Sequence, residues 1–374
     1  NKLDPKKLSV DEWEKLYVDF HTELEKNPDL KNESRNAFER LEKGDKNARK
    51  IWEVALETSM KEYQKLYDLL DVHIDYAYGE SFYQDKMPEA IEEAKKKGIA
   101  KKSEDAWVVE FDKYNLPSNI LVKSNGTTTY LARDLALMFF RKKQWNPTLQ
   151  IFEVGADQKL YFRQVFALAE MMGLFKQGEL KHIAHGMYRF KEGKMSTRRG
   201  KTIKLEEVLS EAIKKAEKFN KETAKEVGIG AIKYFDLMHS PTTDIIFDWD
   251  KIFVLEGNSG PYLQYTYART QSVLKKGNAT KYNVTETELN TEELMVGREL
   301  SKFPEIISMS AHAFSPNLLC EYLYNLASTF NTFYNKHKII GGENEKFDLA
   351  LTAATGQILK NGLTLLGIAT PEKM

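Results

Sequence analysis

Apolar residues in the first seventy positions recur at helical spacing. In SVDEWEKLYVDFHTELEKNP the residues Trp13, Leu16, Tyr17 and Phe20 form one stripe, and Ser9 stands where a helix cap belongs. ARKIWEVALETSMKEYQKLYDLL repeats the pattern with Ile51, Trp52, Ala55, Leu56 and Met60. The dense charges between these residues read as a solvated face. DVHIDYAYGES alternates instead, which predicts a strand ending at Gly79.

From Asp105 the texture changes. DAWVVEF predicts a strand, and NILVKSNGTTTYLARDLALMFFRK predicts strand, Asn125-Gly126 turn, short strand and helix. LQIFEVGAD is a compact apolar strand reaching Gly155, and KLYFRQVFALAEMMG a helix closed by Gly173. LKHIAHGMYRF reads as one more strand, followed by helices in LEEVLSEAIKKAEKF and ETAKEVGIGAIKYFDLMH. This alternation predicts an α/β fold with a parallel sheet, whose ligands sit beyond the carboxyl ends of the strands. GES, GAD and a cationic loop after Phe190 are all expected at such ends.

After DIIFDWDKI the pattern becomes all-helical. Leu319, Tyr322, Leu323, Leu326, Ala327, Phe330 and Phe333 keep helix spacing, and ILKNGLTLLGI supplies a last apolar helix. LEGNSGP, rich in glycine and proline, marks a boundary near residue 255. There is no internal repeat.

Composition narrows the possibilities. With 374 residues the chain can hold two or three domains. Its 55 basic and 55 acidic residues cancel, so any polyanion site must be a local patch. The single Cys320 excludes an intrachain disulfide and a multi-cysteine zinc site, and its apolar surroundings predict a buried thiol. No apolar run is long enough for a membrane span, and no secretory signal is expected. The first residue is Asn1 rather than Met, so a longer natural chain is expected.

The local patch is GKMSTRRGK, where Lys194, Arg198, Arg199 and Lys201 place four cations in eight residues without an acid. Gly193 and Gly200 permit tight bends, Ser196 and Thr197 add hydroxyl donors, and the arginines suit phosphate oxygens. Charge alone favours a plain basic surface loop. The order Lys-Met-Ser changes that balance, because KMSTR resembles the Lys-Met-Ser-Lys-Ser signature of class I aminoacyl-tRNA synthetases. YGESFY, VKSNGTTTYLARDLA, FEVGADQKLYFRQVFALAEMMG, HGMYRFKEGKMSTRRGKTIKLEEVL, GNSGPYLQYTYART and LLGIATPEKM, in this order, resemble arginyl-tRNA synthetase. So does GDKNARKIWEVALETSMKEYQKLYDLLDV near the start, and the resemblance runs from about residue 10 to residue 374.

That resemblance implies a partial Rossmann-like class I catalytic domain with a helical insertion, then an all-α anticodon-binding bundle. It divides the chain into 1–120 (insertion and connecting part), 121–255 (second half of the catalytic domain) and 256–374 (anticodon-binding helices). The implied reaction is ATP-dependent formation of arginyl-adenylate and transfer of the arginyl group to tRNA(Arg), with magnesium accompanying the nucleotide. A cytoplasmic monomer is expected, with L-arginine, ATP and tRNA(Arg) as partners. Lys194, Ser196 and Arg198 would serve catalysis, and Lys194, Met195 and Arg199 would hold ATP. His185, Gly186 and Met187 would line the adenine pocket, with a plain strand histidine an equal reading for His185.

For the amino acid, a planar cation calls for carboxylates and an aromatic face. The positions that match the family are Glu80, Tyr130, Asp134 and Gln158, with Tyr130 and Asp134 on one helix face. Three have an alternative: Glu80 as a helix cap, Asp134 paired with Arg133 or Arg141, and Tyr130 in core packing. His182-Ile183-Ala184-His185 imitates the class I His-Ile-Gly-His signature, but it reads as a strand and directly precedes the cationic loop. The true signature belongs at a helix start after the first strand. It is absent here, since His21, His73, His239, His312 and His337 have no such context. The chain is therefore expected to be the carboxy-terminal portion of the enzyme, with negligible arginylation activity alone.

From Pro261 onward, eleven basic and eleven acidic residues give no electrostatic mark of an RNA binder. Anticodon reading would rest on stacking, with Tyr262, Tyr265 and Arg269 as candidates, although bundle core is an equal reading for the tyrosines. The competing functions are another class I synthetase and a non-catalytic tRNA-binding module.

Overall fold

The structure is a computed structural model that describes residues 4–189, 204–278 and 288–374. Three helices come first: α1 (Val10–Lys26), α2 (Leu30–Glu42) and α3 (Lys46–Leu69). Ser9 caps α1 in a capping box with Glu12, as the spacing predicts. None of the three helices has a buried residue, and Leu16, Phe20, Trp52 and Leu56 keep more than a third of their surface exposed. Helices α1 and α2 each pack against α3, a layer too thin to bury a side chain fully.

The expected strand ending at Gly79 does not form: residues 72–79 pair with no neighbour. Their alternation instead puts Tyr76 and Tyr78 on aromatic partners. Tyr78 stacks on Phe82 at 4.1 Å, and Tyr76 lies 5.1 Å from Trp145. An aromatic surface has taken the place of a partner strand. Glu80 therefore opens a 3-10 turn, Glu80–Tyr83, and does not lie beyond a strand end.

The next elements are α4 (Met87–Lys96), then β1 (Ala100–Ser103), β2 (Ala106–Phe111) and β3 (Leu116–Val122), an antiparallel meander. The Asn125-Gly126 turn is present: Gly126 has φ +81°, its N–H donates to the Lys123 carbonyl at 2.9 Å, and the returning strand shrinks to one bridge, Val122 to Thr128. Helix α5 (Tyr130–Trp145) leads to β4 (Gln150–Gly155), α6 (Lys159–Met171) and β5 (Leu180–His185), with β4 and β5 parallel. Leu131, Leu135 and Met138 of α5 share one core with Val165 and Leu168 of α6 and with Val109 and Leu121 of the meander. The expected division at residue 120 falls inside β3 and inside this core.

The segment expected as one strand over 180–190 is broken in two within its described residues, 180–189. Gly186 leaves the sheet, and Tyr188–Arg189 form β6, which pairs in parallel with β7 (Ile245–Ile246) after α7 (Leu205–Ala216) and α8 (Ala224–Leu237). The Gly186 N–H donates to the Pro241 carbonyl, and a Cβ at 186 would lie 2.1 Å from the Thr243 carbonyl oxygen, so the crossing admits only glycine. The parallel order thus holds for two separate pairs, while β1 to β3 run antiparallel.

A short helix α9 (Trp249–Ile252) precedes the glycine-rich break, in which the expected boundary near 255 lies. The remainder is helical: α10 (Gly260–Gly277), α11 (Thr291–Ser301), α12 (Phe303–Ala313), α13 (Asn317–Lys336) and α14 (Glu345–Leu365). All seven residues picked out on α13 are buried. Cys320 is free and fully buried, and burial pushes its thiol up to about 12. A soluble thiol reagent should leave it untouched in the native chain and label it only after denaturation, which mass spectrometry can follow.

Two acids are also buried in this bundle, Glu293 at 1% and Asp348 at 3% exposure. Glu293 is committed: it accepts from the Asn290 N–H at 2.7 Å in a capping box on α11, and from Asn344 Nδ2 at 3.2 Å. Asp348 Oδ1 is buried without a hydrogen-bond partner among the described residues, and the Asp348 carboxyl lies beside Glu293. Burial, followed by the neighbouring Glu293, pushes the Asp348 carboxyl up to about 7.

Candidate functional site

The amino end of α5 faces the turn at Glu80 and the carboxyl end of β4, and a cleft of about 520 Å³ opens between them. Glu80, Tyr130, Asp134 and Gln158, chosen from the sequence, all line it. Tyr130 and Asp134 lie one helical turn apart on α5, which explains their shared face. Tyr130 is 65% exposed, so it is not core packing.

The partners differ from those the sequence allowed. The Asp134 carboxylate accepts from the Tyr161 hydroxyl on α6, and neither Arg133 nor Arg141 bonds to it. Burial pushes the Asp134 carboxyl above the usual carboxylate range; the Tyr161 hydroxyl opposes this, the Glu80 charge adds to it, and Arg133 and Arg141 lower it. Burial and the Asp134 charge drive the Tyr161 phenol well up, so it stays a neutral donor. Glu80 is not a helix cap. Its Oε2 accepts from Arg133 Nη1 at 2.6 Å, and the Arg133 guanidinium lies 5.4 Å from the centre of the Tyr130 ring.

Tyr161 and Arg133 are therefore members of the cleft that motif reading did not place in it. Tyr161 was findable, since it lies three residues beyond Gln158 in the same helical run. Arg133 was visible only as a neighbour of Asp134. Glu80, Asp134 and Arg133 together leave one net negative charge in the cleft when both acids are ionised. That suits one cationic side chain, and the planar guanidinium matches the carboxylate and the ring.

A second, larger cavity of about 1160 Å³ lies across the same strands. His185, Gly186 and Met187 line it, facing Ala311, Phe314 and Leu319 of the helical bundle. The sheet β4–β5 is the wall between the two cavities: Val154 faces the first, while Ile151, Glu153, Ile183 and His185 face the second. The two histidines of His-Ile-Ala-His diverge for the same reason, being an odd number of residues apart on a strand. His182 Nε2 bonds the Val154 carbonyl oxygen at 2.9 Å and its ring lies 4.7 Å from Phe162. His185 Nδ1 lies 2.9 Å from the Gly186 carbonyl oxygen. They sit on a strand and not at a helix start.

Lys194, Met195, Ser196, Arg198 and Arg199 lie outside the described residues. On α10, Tyr262, Tyr265 and Arg269 come together half-buried against α13. Arg269 Nη1 donates to Asn331 Oδ1 at 2.7 Å, and its guanidinium lies 4.8 Å from both the Tyr265 and Tyr334 rings. Asn331 Nδ2 in turn donates to the Tyr262 hydroxyl.

Comparison with known proteins agrees with this architecture. The family model described as class I (R) tRNA synthetases, catalytic domain, matches residues 2–249, and the DALR anticodon binding domain matches residues 263–374. An arginine–tRNA ligase of Halothermothrix orenii is 39% identical over 98% of this chain and 67% of its own. One of Clostridium kluyveri is 40% identical over 98% of this chain and 68% of its own. The chain thus spans about two thirds of the length of these relatives. Among solved structures, Plasmodium falciparum arginyl-tRNA synthetase superposes with a TM-score of 0.80 at 26% identity, covering 93% of this chain and 62% of that one. The Thermus thermophilus enzyme shares the fold at a TM-score of 0.78 and 22% identity, over 94% of this chain and 69% of that one. With a class I catalytic fold, a helical domain of the DALR type and relatives of this identity across nearly its whole length, the chain belongs to the arginyl-tRNA synthetase family.

Proposed function

We propose that the cleft at the amino end of α5 binds L-arginine for ATP-dependent activation and transfer to tRNA(Arg). The observation that carries this reading is the convergence of Glu80, Tyr130, Asp134 and Gln158 on one cavity with a net negative charge. In the reaction, the arginine carboxylate attacks the α-phosphate of ATP and pyrophosphate leaves. A hydroxyl of the terminal tRNA ribose then attacks the activated carbonyl and AMP leaves. His185, Gly186 and Met187 of the second cavity are read as adenine contacts. Lys194, Ser196 and Arg198 are read as the groups that steady the departing phosphates, with Met195 and Arg199 beside the nucleotide. Tyr262, Tyr265 and Arg269 are read as anticodon contacts by stacking.

Among the described residues no cluster of three or more His, Cys, Asp or Glu forms a metal-binding group, and magnesium is read as arriving with the nucleotide. No helix among the described residues is long and apolar enough to cross a membrane. A monomer working in the cytoplasm is the accompanying reading.

Isothermal calorimetry on the 374-residue chain tests the cleft. Arginine should bind at least about tenfold more tightly than lysine, because lysine cannot form the forked bond to Asp134. Equal affinities, or no response to arginine or ATP, would favour a tRNA-binding module without amino-acid selection.

A further inference from the structure

Among the described residues one side chain hydrogen-bonds the Asp134 carboxylate, and it is neutral. Tyr161 stands in the first turn of α6, and its hydroxyl donates to Asp134 Oδ2. Its ring packs against the core that α5 and α6 share, edge-on to Phe162 at 5.7 Å. The ring thus serves the fold, while the hydroxyl reaches the cleft that Tyr161 also lines. Burial and the Asp134 charge keep the phenol protonated, so towards this carboxylate it can only donate.

We infer that Tyr161 is a positioning residue that holds the Asp134 carboxylate in the plane a guanidinium needs, which rests on the reading of the cleft as the arginine site. The last torsion of an aspartate is broad, so a carboxylate without a donor samples many orientations. A forked guanidinium bond needs both oxygens in one plane with the cation. A carboxylate has about four acceptor positions. Tyr161 takes one of them, on Oδ2, so each oxygen can still accept from the fork. Fixing the plane beforehand lowers the ordering cost of binding. Neutrality matters as well. An ammonium or a second guanidinium in place of the phenol would orient the carboxylate but cancel the charge that attracts the substrate. The phenol orients without neutralising, and its bond favours the ionised carboxylate against the burial that opposes it. The other charges around Asp134 are Glu80 across the cleft, and Arg133 and Arg141 on its own helix.

Tyr161→Phe keeps the ring and removes only the hydroxyl. Calorimetry on the 374-residue chain should show arginine affinity down by about tenfold and ATP affinity unchanged. The pH profile should move too. Without its donor the ionised carboxylate is less favoured, so arginine affinity should begin to fall at a higher pH than in the unaltered chain. Lost packing alone would leave that profile in place. A double-mutant cycle with Asp134→Asn gives the second measurement. In the Asp134→Asn background, Tyr161→Phe should change arginine affinity by less than about twofold. A loss caused by weakened folding would instead appear equally in both backgrounds. Unchanged arginine affinity in Tyr161→Phe, an unmoved pH profile, or equal losses in both backgrounds would overturn the role of Tyr161. The reading of the cleft fails separately. If Asp134→Asn leaves arginine binding intact, or the unaltered chain does not bind arginine, the cleft is not the arginine site and Tyr161 has nothing to position.

Discussion

Asp134→Asn should cost about 1.5–3 kcal/mol of arginine affinity, the value of charge-assisted hydrogen bonds, and leave ATP binding nearly unchanged. The amide keeps the shape of the carboxylate and still offers an oxygen to the Tyr161 hydroxyl, so the packing of α5 on α6 should survive. What is lost is the charge proposed to face the guanidinium. The same logic fixes a pH dependence in the unaltered chain. Burial raises the Asp134 carboxyl above the usual range, so arginine affinity should fall on acidification sooner than for an exposed aspartate. In Asp134→Asn that dependence should vanish. Calorimetry across a pH series reads both effects. Equal losses for arginine and ATP would mean that Asp134 shapes the fold and does not read the amino acid.

The second large effect concerns stability. Asp348 has its carboxyl raised to about 7 by burial and by Glu293, far above its value in an unfolded chain. A raised carboxyl binds its proton more tightly in the folded state. The resulting stability is fully present below the unfolded value and is lost as pH rises through the folded one. Stability should therefore fall between pH 5 and pH 8. His337, which pairs with Glu292 at 3.1 Å, acts in the opposite sense on Asp348 without removing the effect. Asp348→Asn removes the ionisable proton, so it should flatten the profile and make the bundle more stable than the unaltered chain at pH 8. Thermal melting followed by far-ultraviolet circular dichroism checks this. A melting temperature that does not fall from pH 5 to pH 8 in the unaltered chain would show that Asp348 is ionised throughout.

The parts of the fold and cleft that could be read from sequence were those set by local periodicity. Helix α13 was legible because seven apolar positions at helical spacing have one way to be buried. The Asn125-Gly126 turn was legible because left-handed backbone favours Gly126. The strand expected before Gly79 was not, because alternation signals a two-faced segment without saying what each face meets; Tyr76 and Tyr78 met aromatic rings. The break at Gly186 was hidden for a related reason: it depends on the Thr243 carbonyl, far away in the chain. In the cleft, a family motif could nominate Glu80 and Asp134 but not their partners. Arg133 and Tyr161 acquire their roles from a packing of α5 against α6 and the Glu80 turn that no spacing encodes.

The two-stranded wall between the cavities has a practical consequence for redesign. On β4, Val154 faces the cleft at the amino end of α5, while Ile151 and Glu153 face the larger cavity. Parity of position therefore acts as an address. Substitutions at 154 can retune one chamber while the other keeps its lining, and those at 151 and 153 do the reverse. A one-residue insertion or deletion in the strand would exchange the two addresses at once, presenting each chamber with side chains selected for the other. Libraries built on this wall should thus vary identity at fixed length.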